Sequence, residues 1–145
     1  MKKIYKSFLT EEDKKYLDVF KNGGQRPVKG FIDNKLVKKI INKLSEDFKF
    51  EIKDESYLLL ETRPQGHGWH MDTGTSNHMP WCQVGSTILI KDSATGGDTY
   101  YADDETGKNK IKVDREVGDL CAHTSDEWHM VDANSGQRQV LLMFL

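Results

Sequence analysis

The chain has 145 residues, enough for one domain with its own core. With 37% hydrophobic and 30% charged residues it has the balance of a folded globular protein. A formal net charge of -2 argues against a dominant polyanion-binding surface, and the sequence carries no strong nucleic-acid signal, though net charge alone leaves room for a local basic patch. No apolar stretch is long enough to span a membrane. Cys82 and Cys121 do not make a disulfide framework and lack Cys-x-x-Cys spacing, so reduced thiols are expected. The opening Met1-Lys-Lys-Ile-Tyr-Lys6 lacks the apolar region of a signal peptide, and a cytoplasmic location follows as the expectation.

In chain order, two helices come first. Thr10-Glu-Glu-Asp13 is a cap followed by acidic first-turn residues, Tyr16, Leu17 and Phe20 supply an apolar face, and Asn22-Gly23-Gly24 ends the segment. A second helix starts near Asp33 or Asn34, with Leu36, Val37, Ile40, Ile41 and Leu44 at helical period. The many lysines here are interspersed with acids and read as solvated helix faces. From Phe50 the pattern changes. Strands are expected over 57–63, 68–72, 84–91, 98–102, 110–113, 119–123 and 138–145, separated by turns bearing Gly66, Gly96-Gly97, Gly107 and Gly136. The fold class is mainly β with N-terminal helices, a sandwich or jelly roll. One domain spans 1–145, with a helical buttress over 1–50 and a β-core over 51–145. The mouth of such a core is a normal place for a small-molecule pocket.

The candidate chemistry lies in His70-Met-Asp72 and in the later His129. Residues i and i+2 of a strand point to one side, so His70 and Asp72 can reach one ion together. Two imidazoles and a carboxylate on one face of iron(II) leave the opposite face open, which is the ligand logic of non-haem oxygenases. A lone His-x-Asp is also a common solvated pair, and a zinc site from His67, His70 and His129 is an alternative. His123 and His78 are further potential ligands. Arg138 alternates with Val140, Leu142 and Phe144 in period two. If that face is interior, the guanidinium needs an anionic partner and its planar fork suits a carboxylate. If Leu141, Met143 and Leu145 form the core instead, Arg138 points outward. Both faces are apolar, so period leaves this open.

The stretch from Leu58 to Leu145 resembles the iron(II)- and 2-oxoglutarate-dependent dioxygenases, and more closely their prolyl 4-hydroxylase branch. The matching pieces are Leu59-Leu-Glu-Thr-Arg-Pro-Gln-Gly-His-Gly-Trp-His-Met-Asp72, Thr87-Ile-Leu-Ile90, Gly96-Gly-Asp-Thr-Tyr100, Val117-Gly-Asp-Leu120, Trp128-His-Met-Val131 and Gly136-Gln-Arg-Gln-Val140. The segment Ile4-Tyr-Lys-Ser-Phe-Leu-Thr-Glu-Glu12 also resembles that family's entry into its first helix.

The resemblance implies a double-stranded β-helix (jelly roll) with Fe(II) on His70, Asp72 and His129. It implies 2-oxoglutarate on the metal, its distal carboxylate paired with Arg138 and helped by Thr87, with O2 as oxidant and ascorbate as reductant. The implied activity is a procollagen-proline 4-dioxygenase-like hydroxylation of proline in a peptide or protein. Alternatives are the same chemistry on an amino acid, nucleobase or lipid, or a non-catalytic jelly-roll binding module. The chain departs from the family at three places. Arginine stands at 138, as in the oxygen-sensing enzymes, where the collagen enzymes use lysine. His67 replaces a frequent tyrosine, and Phe144 replaces a frequent tryptophan. The substrate groove is accordingly expected around His67 and Phe144, with Trp81 and Tyr100 as flat faces for proline rings. The loop over 73–83, which holds Asn77, His78, Met79, Pro80 and Trp81, leaves the metal strand and is expected to touch substrate.

Overall fold

The computed structural model describes residues 1–73 and 78–145; Asn77 of the expected substrate loop lies outside them. The strands are β1 (Lys2–Tyr5), β2 (Arg26–Pro27), β3 (Tyr57–Thr62), β4 (His67–His70), β5 (Val84–Lys91), β6 (Thr95–Gly96), β7 (Thr99–Ala102), β8 (Ile111–Lys112), β9 (Leu120–Thr124), β10 (Trp128–Val131), β11 (Asn134–Ser135) and β12 (Gln139–Phe144), with one α-helix, α1 (Lys35–Ser45). A six-stranded sheet runs β1-β9-β5-β12-β3-β2, and a four-stranded sheet runs β4-β10-β7-β8. The pairings within both sheets are antiparallel. β11 and β6 form a separate ribbon. The β-core is a jelly roll.

Period two sorts the large sheet into two apolar faces. On one face Leu58, Val84, Ile88, Leu120, Ala122, Leu141, Met143 and Leu145 join a buried cluster with Leu36, Val37, Ile40 and Leu44 of α1. Asn34 starts α1 by accepting hydrogen bonds from the amides of Leu36 and Val37 at 2.9 and 3.1 Å. The alternate residues, among them Leu59, Thr87, Cys121, Val140, Leu142 and Phe144, line a cavity on the other face, the one bearing the candidate site. The last strand joins one half of each reading: Leu141, Met143 and Leu145 do form the core, yet Arg138 does not point outward. Leu141, Met143 and Leu145 pack on the helices, while Arg138 lies on the cavity side, one residue before β12 and 8% exposed.

Three expectations need correction. The first helical segment, Glu12–Phe20, is a 3-10 helix. Its buried residues Leu17 and Phe20 are three apart, as are its ion pairs Lys14–Glu11, Lys15–Glu12 and Lys21–Asp18. That spacing aligns in a three-residue turn. Thr10 still caps it through reciprocal bonds, the Asp13 amide to Thr10 Oγ1 and the Thr10 amide to Asp13 Oδ2. Second, the 1–50 region is not wholly helical, because β1 pairs with β9 and β2 with β3 at the two edges of the large sheet. Third, β4 stops at His70, two residues earlier than expected.

Candidate functional site

β4 and β10 carry the two histidines face to face: His70 is the register partner of His129. Asp72 does not project from the strand beside His70. It sits just beyond β4, where its amide donates to the Ser125 carbonyl at 3.1 Å. That bond turns the chain so that the carboxylate is 3% exposed beneath both imidazoles. Asp72 Oδ1 lies 3.3 Å from His129 Nε2 and 4.0 Å from His70 Nε2. One ligand atom from each of the three residues falls within 4.8 Å of the others, a grouping able to hold a metal ion.

The protons on the rings are set by their outer partners. His70 Nδ1 lies 2.7 Å from the Gly68 carbonyl and His129 Nδ1 lies 2.9 Å from the Glu127 carbonyl. A carbonyl oxygen only accepts, so each Nδ1 carries a hydrogen and Nε2 is the atom turned toward Asp72; at His129 that Nε2 donates to Asp72 while protonated, and on losing its proton it becomes the free lone pair a metal would take. Burial, then the neighbouring His129, brings the His70 pKa down to about 4. At His129 burial works against the charged ring, but the hydrogen bond and charge of Asp72 outweigh it and the pKa rises. Asp72 is held below the usual carboxylate range: burial opposes this, while hydrogen bonds from His123 and His129 prevail. An ionised carboxylate beside two histidines that are neutral when their protons leave is the donor set a divalent metal needs.

His123 takes another role. Its Nε2 lies 2.7 Å from Asp72 Oδ2 and its Nδ1 lies 2.8 Å from Tyr101 Oη. Tyr101 donates to Nδ1, Nε2–H donates to Asp72, and burial together with His129 favours the uncharged ring. One carboxylate oxygen is thus tied to β9, leaving Oδ1 on the His70–His129 side. Gly85 makes room for this bond. A Cβ there would overlap Asp72 Oδ2 and stand 2.8 Å from His123 Nε2. The sequence signal for His123 and Tyr101 was their parity: His123 shares a face with Cys121, and Tyr101 with Thr99.

The cavity has a volume of about 580 Å³. Arg138 lines it, and among the described residues its guanidinium makes no hydrogen bond and no ion pair within 4.0 Å. Gly97, with φ +80, admits it: a Cβ there would stand 2.7 Å from Arg138 Cδ. Thr87 lines the same wall. Of the expected substrate residues, His67 and Phe144 line the cavity, His67 stacked on His70 with centroids 3.8 Å apart. Trp81 and Tyr100 do not line it. Trp81 packs edge-on against Tyr57 at 6.0 Å, and Tyr100 lies on the opposite face of β7 from Tyr101, under Lys110. Further aromatic groups that line it are Trp69, Trp128, Tyr57 and Tyr101, beside Arg63, His78 and Met79. The His67-based zinc set is not formed among the described residues, where the grouping is His70, Asp72 and His129.

No protein-family model matches the chain, and no curated protein matches it in sequence. Solved structures do match in shape. A prolyl-4-hydroxylase from Pseudomonas putida superposes with TM-score 0.67 at 12% identity, over 99% of this chain and 83% of that one. HygX from Streptomyces hygroscopicus, solved with nickel and 2-oxoglutarate bound, gives 0.66 at 9% identity, over 99% and 80%. A Trichoplax adhaerens prolyl hydroxylase, in complex with a peptide fragment of the hypoxia inducible factor oxygen degradation domain, gives 0.64 at 11% identity, over 99% and 83%. The fold is that of the 2-oxoglutarate- and iron(II)-dependent oxygenases. The structures that share this fold with the chain include prolyl hydroxylases and HygX alike. No helix among the described residues is long and apolar enough to cross a membrane.

Proposed function

We propose that this protein is an iron(II)- and 2-oxoglutarate-dependent oxygenase that hydroxylates proline in a peptide or protein, with His70, Asp72 and His129 as metal ligands. The observation that carries this reading is one cavity with a His-Asp-His grouping on its wall, its Asp72 and His129 buried, and a buried guanidinium with no carboxylate of the described residues within 4.0 Å. A metal with open positions and an acid with a free distal carboxylate together answer both features.

Iron(II) held by His70, Asp72 and His129 would supply the oxygen chemistry, in which O2 would give one atom to succinate as 2-oxoglutarate loses carbon dioxide and the other to a substrate C–H bond. The chain's own residues position and exclude. Gly68 and Glu127 carbonyls fix the two imidazole tautomers, and His123 fixes the carboxylate. Arg138, helped by Thr87, would hold the distal carboxylate of 2-oxoglutarate through its planar fork. Val140, Leu142 and Leu59 line the same cavity with apolar side chains, which lowers its polarity and would strengthen the ion pair. Ascorbate would serve as the reductant that keeps iron in its divalent state.

The proline reading draws support from the Trp69, Trp128 and His67 rings at the cavity, which offer flat faces to a pyrrolidine in an extended segment. It draws further support from the prolyl hydroxylases that share the fold. The test is turnover of a panel of proline-rich peptides, read as a mass gain of one oxygen with matched succinate release. Stimulation of 2-oxoglutarate consumption by a free amino acid, a nucleobase or a lipid, with none by proline peptides, would refute the proline assignment. Absence of stoichiometric iron(II) binding would refute the enzyme reading and leave a binding module.

A further inference from the structure

A second arginine faces the cavity that holds Arg138. Arg115 lies between β8 and β9, lines the cavity, and donates from Nη2 to the Thr87 carbonyl at 2.7 Å. Its Nε is buried with no hydrogen-bond partner, and so is the hydroxyl of Thr99, which lines the same cavity. Neither Arg115 nor Arg138 has a carboxylate within 4.0 Å among the described residues. Burial disfavours the charge on both, and Arg115 adds to the penalty at Arg138. A guanidinium does not escape by losing its proton. A buried Arg138, a half-buried Arg115 and two orphaned buried donors therefore line one cavity, and each costs free energy until an acceptor arrives. Asp92, Asp98 and Glu61 act on Arg138 only from a distance, and Asp98 is paired with Lys112 at 3.4 Å.

We propose that Arg115 and Thr99 join Arg138 in a two-guanidinium seat for the terminal carboxylate of a small acid. This rests on the cosubstrate reading above and adds two binding residues to it. A carboxylate offers about four lone-pair sites. Arg138 takes a forked contact, Arg115 Nε a third, and the Thr99 hydroxyl shares the fourth with Thr87. The seat has a consequence for selectivity: a 2-oxo acid of the same length ending in a neutral amide leaves two cations unneutralised and is rejected more strongly than a single arginine would require.

The test is calorimetric titration of 2-oxoglutarate into manganese(II)-loaded protein, with manganese affinity measured separately. Arg115→Gln is expected to weaken 2-oxoglutarate binding on the order of 10-fold or more, and Thr99→Val several-fold, with manganese affinity unchanged in both. Thr99→Val keeps the side-chain shape and decides the matter if Arg115→Gln fails to fold. Wild-type affinity in both variants, alongside a large loss in Arg138→Ala, overturns the seat and leaves the cosubstrate reading standing. An equal loss of manganese affinity in Arg115→Gln also overturns it, because Arg115 would then be holding the fold of the site. A wild-type protein that binds manganese but no 2-oxoglutarate overturns the cosubstrate reading itself, and the seat with it.

Discussion

Gly85→Ala is expected to damage the proposed metal site while sparing the fold. Gly85 sits mid-sheet, paired to Phe144 of β12 on one side and His123 of β9 on the other, so the backbone of β5 cannot retreat. The new methyl would occupy the space of Asp72 Oδ2 and crowd His123 Nε2, so Asp72 must swing away. That breaks the 2.7 Å Asp72–His123 bond and moves Oδ1 from its place beside His129. A hydrogen bond to a buried charge contributes about 1.5–3 kcal/mol. Removing a glycine from the unfolded ensemble returns about 0.4–1 kcal/mol. The net loss is about 1–2 kcal/mol, a fall in Tm of about 3–6 °C for a chain of this size. Manganese(II) or iron(II) affinity should fall about 10–100-fold, the usual effect of disturbing the partners that orient a ligand. The assay is equilibrium metal binding beside a thermal melt, with Gly68→Ala as control, because a Cβ at Gly68 meets nothing within 4 Å. Wild-type metal affinity in Gly85→Ala would refute the claim that Asp72 is pinned between His123 and the sheet.

Arg138→Ala should raise the 2-oxoglutarate requirement by about 2–5 kcal/mol equivalent while leaving metal affinity near wild type, and Arg138→Lys should keep part of the function, since the charge stays and the fork goes; equal cosubstrate affinity in wild type and Arg138→Ala would sink the assignment. Metal affinity should fall as pH drops through the raised pKa of His129, by roughly tenfold per pH unit for one proton displaced, because the metal needs the neutral ring. His70, with its pKa near 4, adds a second step only in stronger acid; a metal affinity flat across the ordinary histidine range would contradict the His129 environment. Trp128→Ala and Trp69→Ala should impair peptide hydroxylation more than uncoupled 2-oxoglutarate turnover, whereas Trp81→Ala should act through stability, by loss of its packing on Tyr57; the reverse pattern would move the substrate to the other side of the loop. Leu36→Ala, emptying a fully buried position between α1 and the large sheet, should cost about 2–5 kcal/mol by denaturant unfolding with no change in metal affinity measured in the native baseline.

The residue types grouped at the candidate site, their order and the β-rich class were legible in the sequence. A His-x-Asp, a later histidine and an arginine before an apolar run are local facts, and the period-two pattern of residues 139–145 sets which residues share a face. Which face met the helices and which met the cavity was not legible, because both are apolar; only the docking of α1 on Leu141, Met143 and Leu145 decided it and turned Arg138 inward. The strand β10 escaped notice because Trp-His-Met-Val is four residues long and carries its pairing information in β4 and β7. Asp72 reached the site by a turn fixed through Ser125, more than fifty residues away, rather than by strand alternation. Trp81 and Tyr100 looked suited to a substrate by residue type, but orientation is a property of the assembled sheet, and there Tyr101 points inward while Tyr100 does not. The Tyr101–His123–Asp72 chain and the pairing of Arg115 with Arg138 join residues from separate strands and loops, and such convergence is written only in tertiary structure, where burial removes water and leaves each polar group dependent on the partners the fold brings to it.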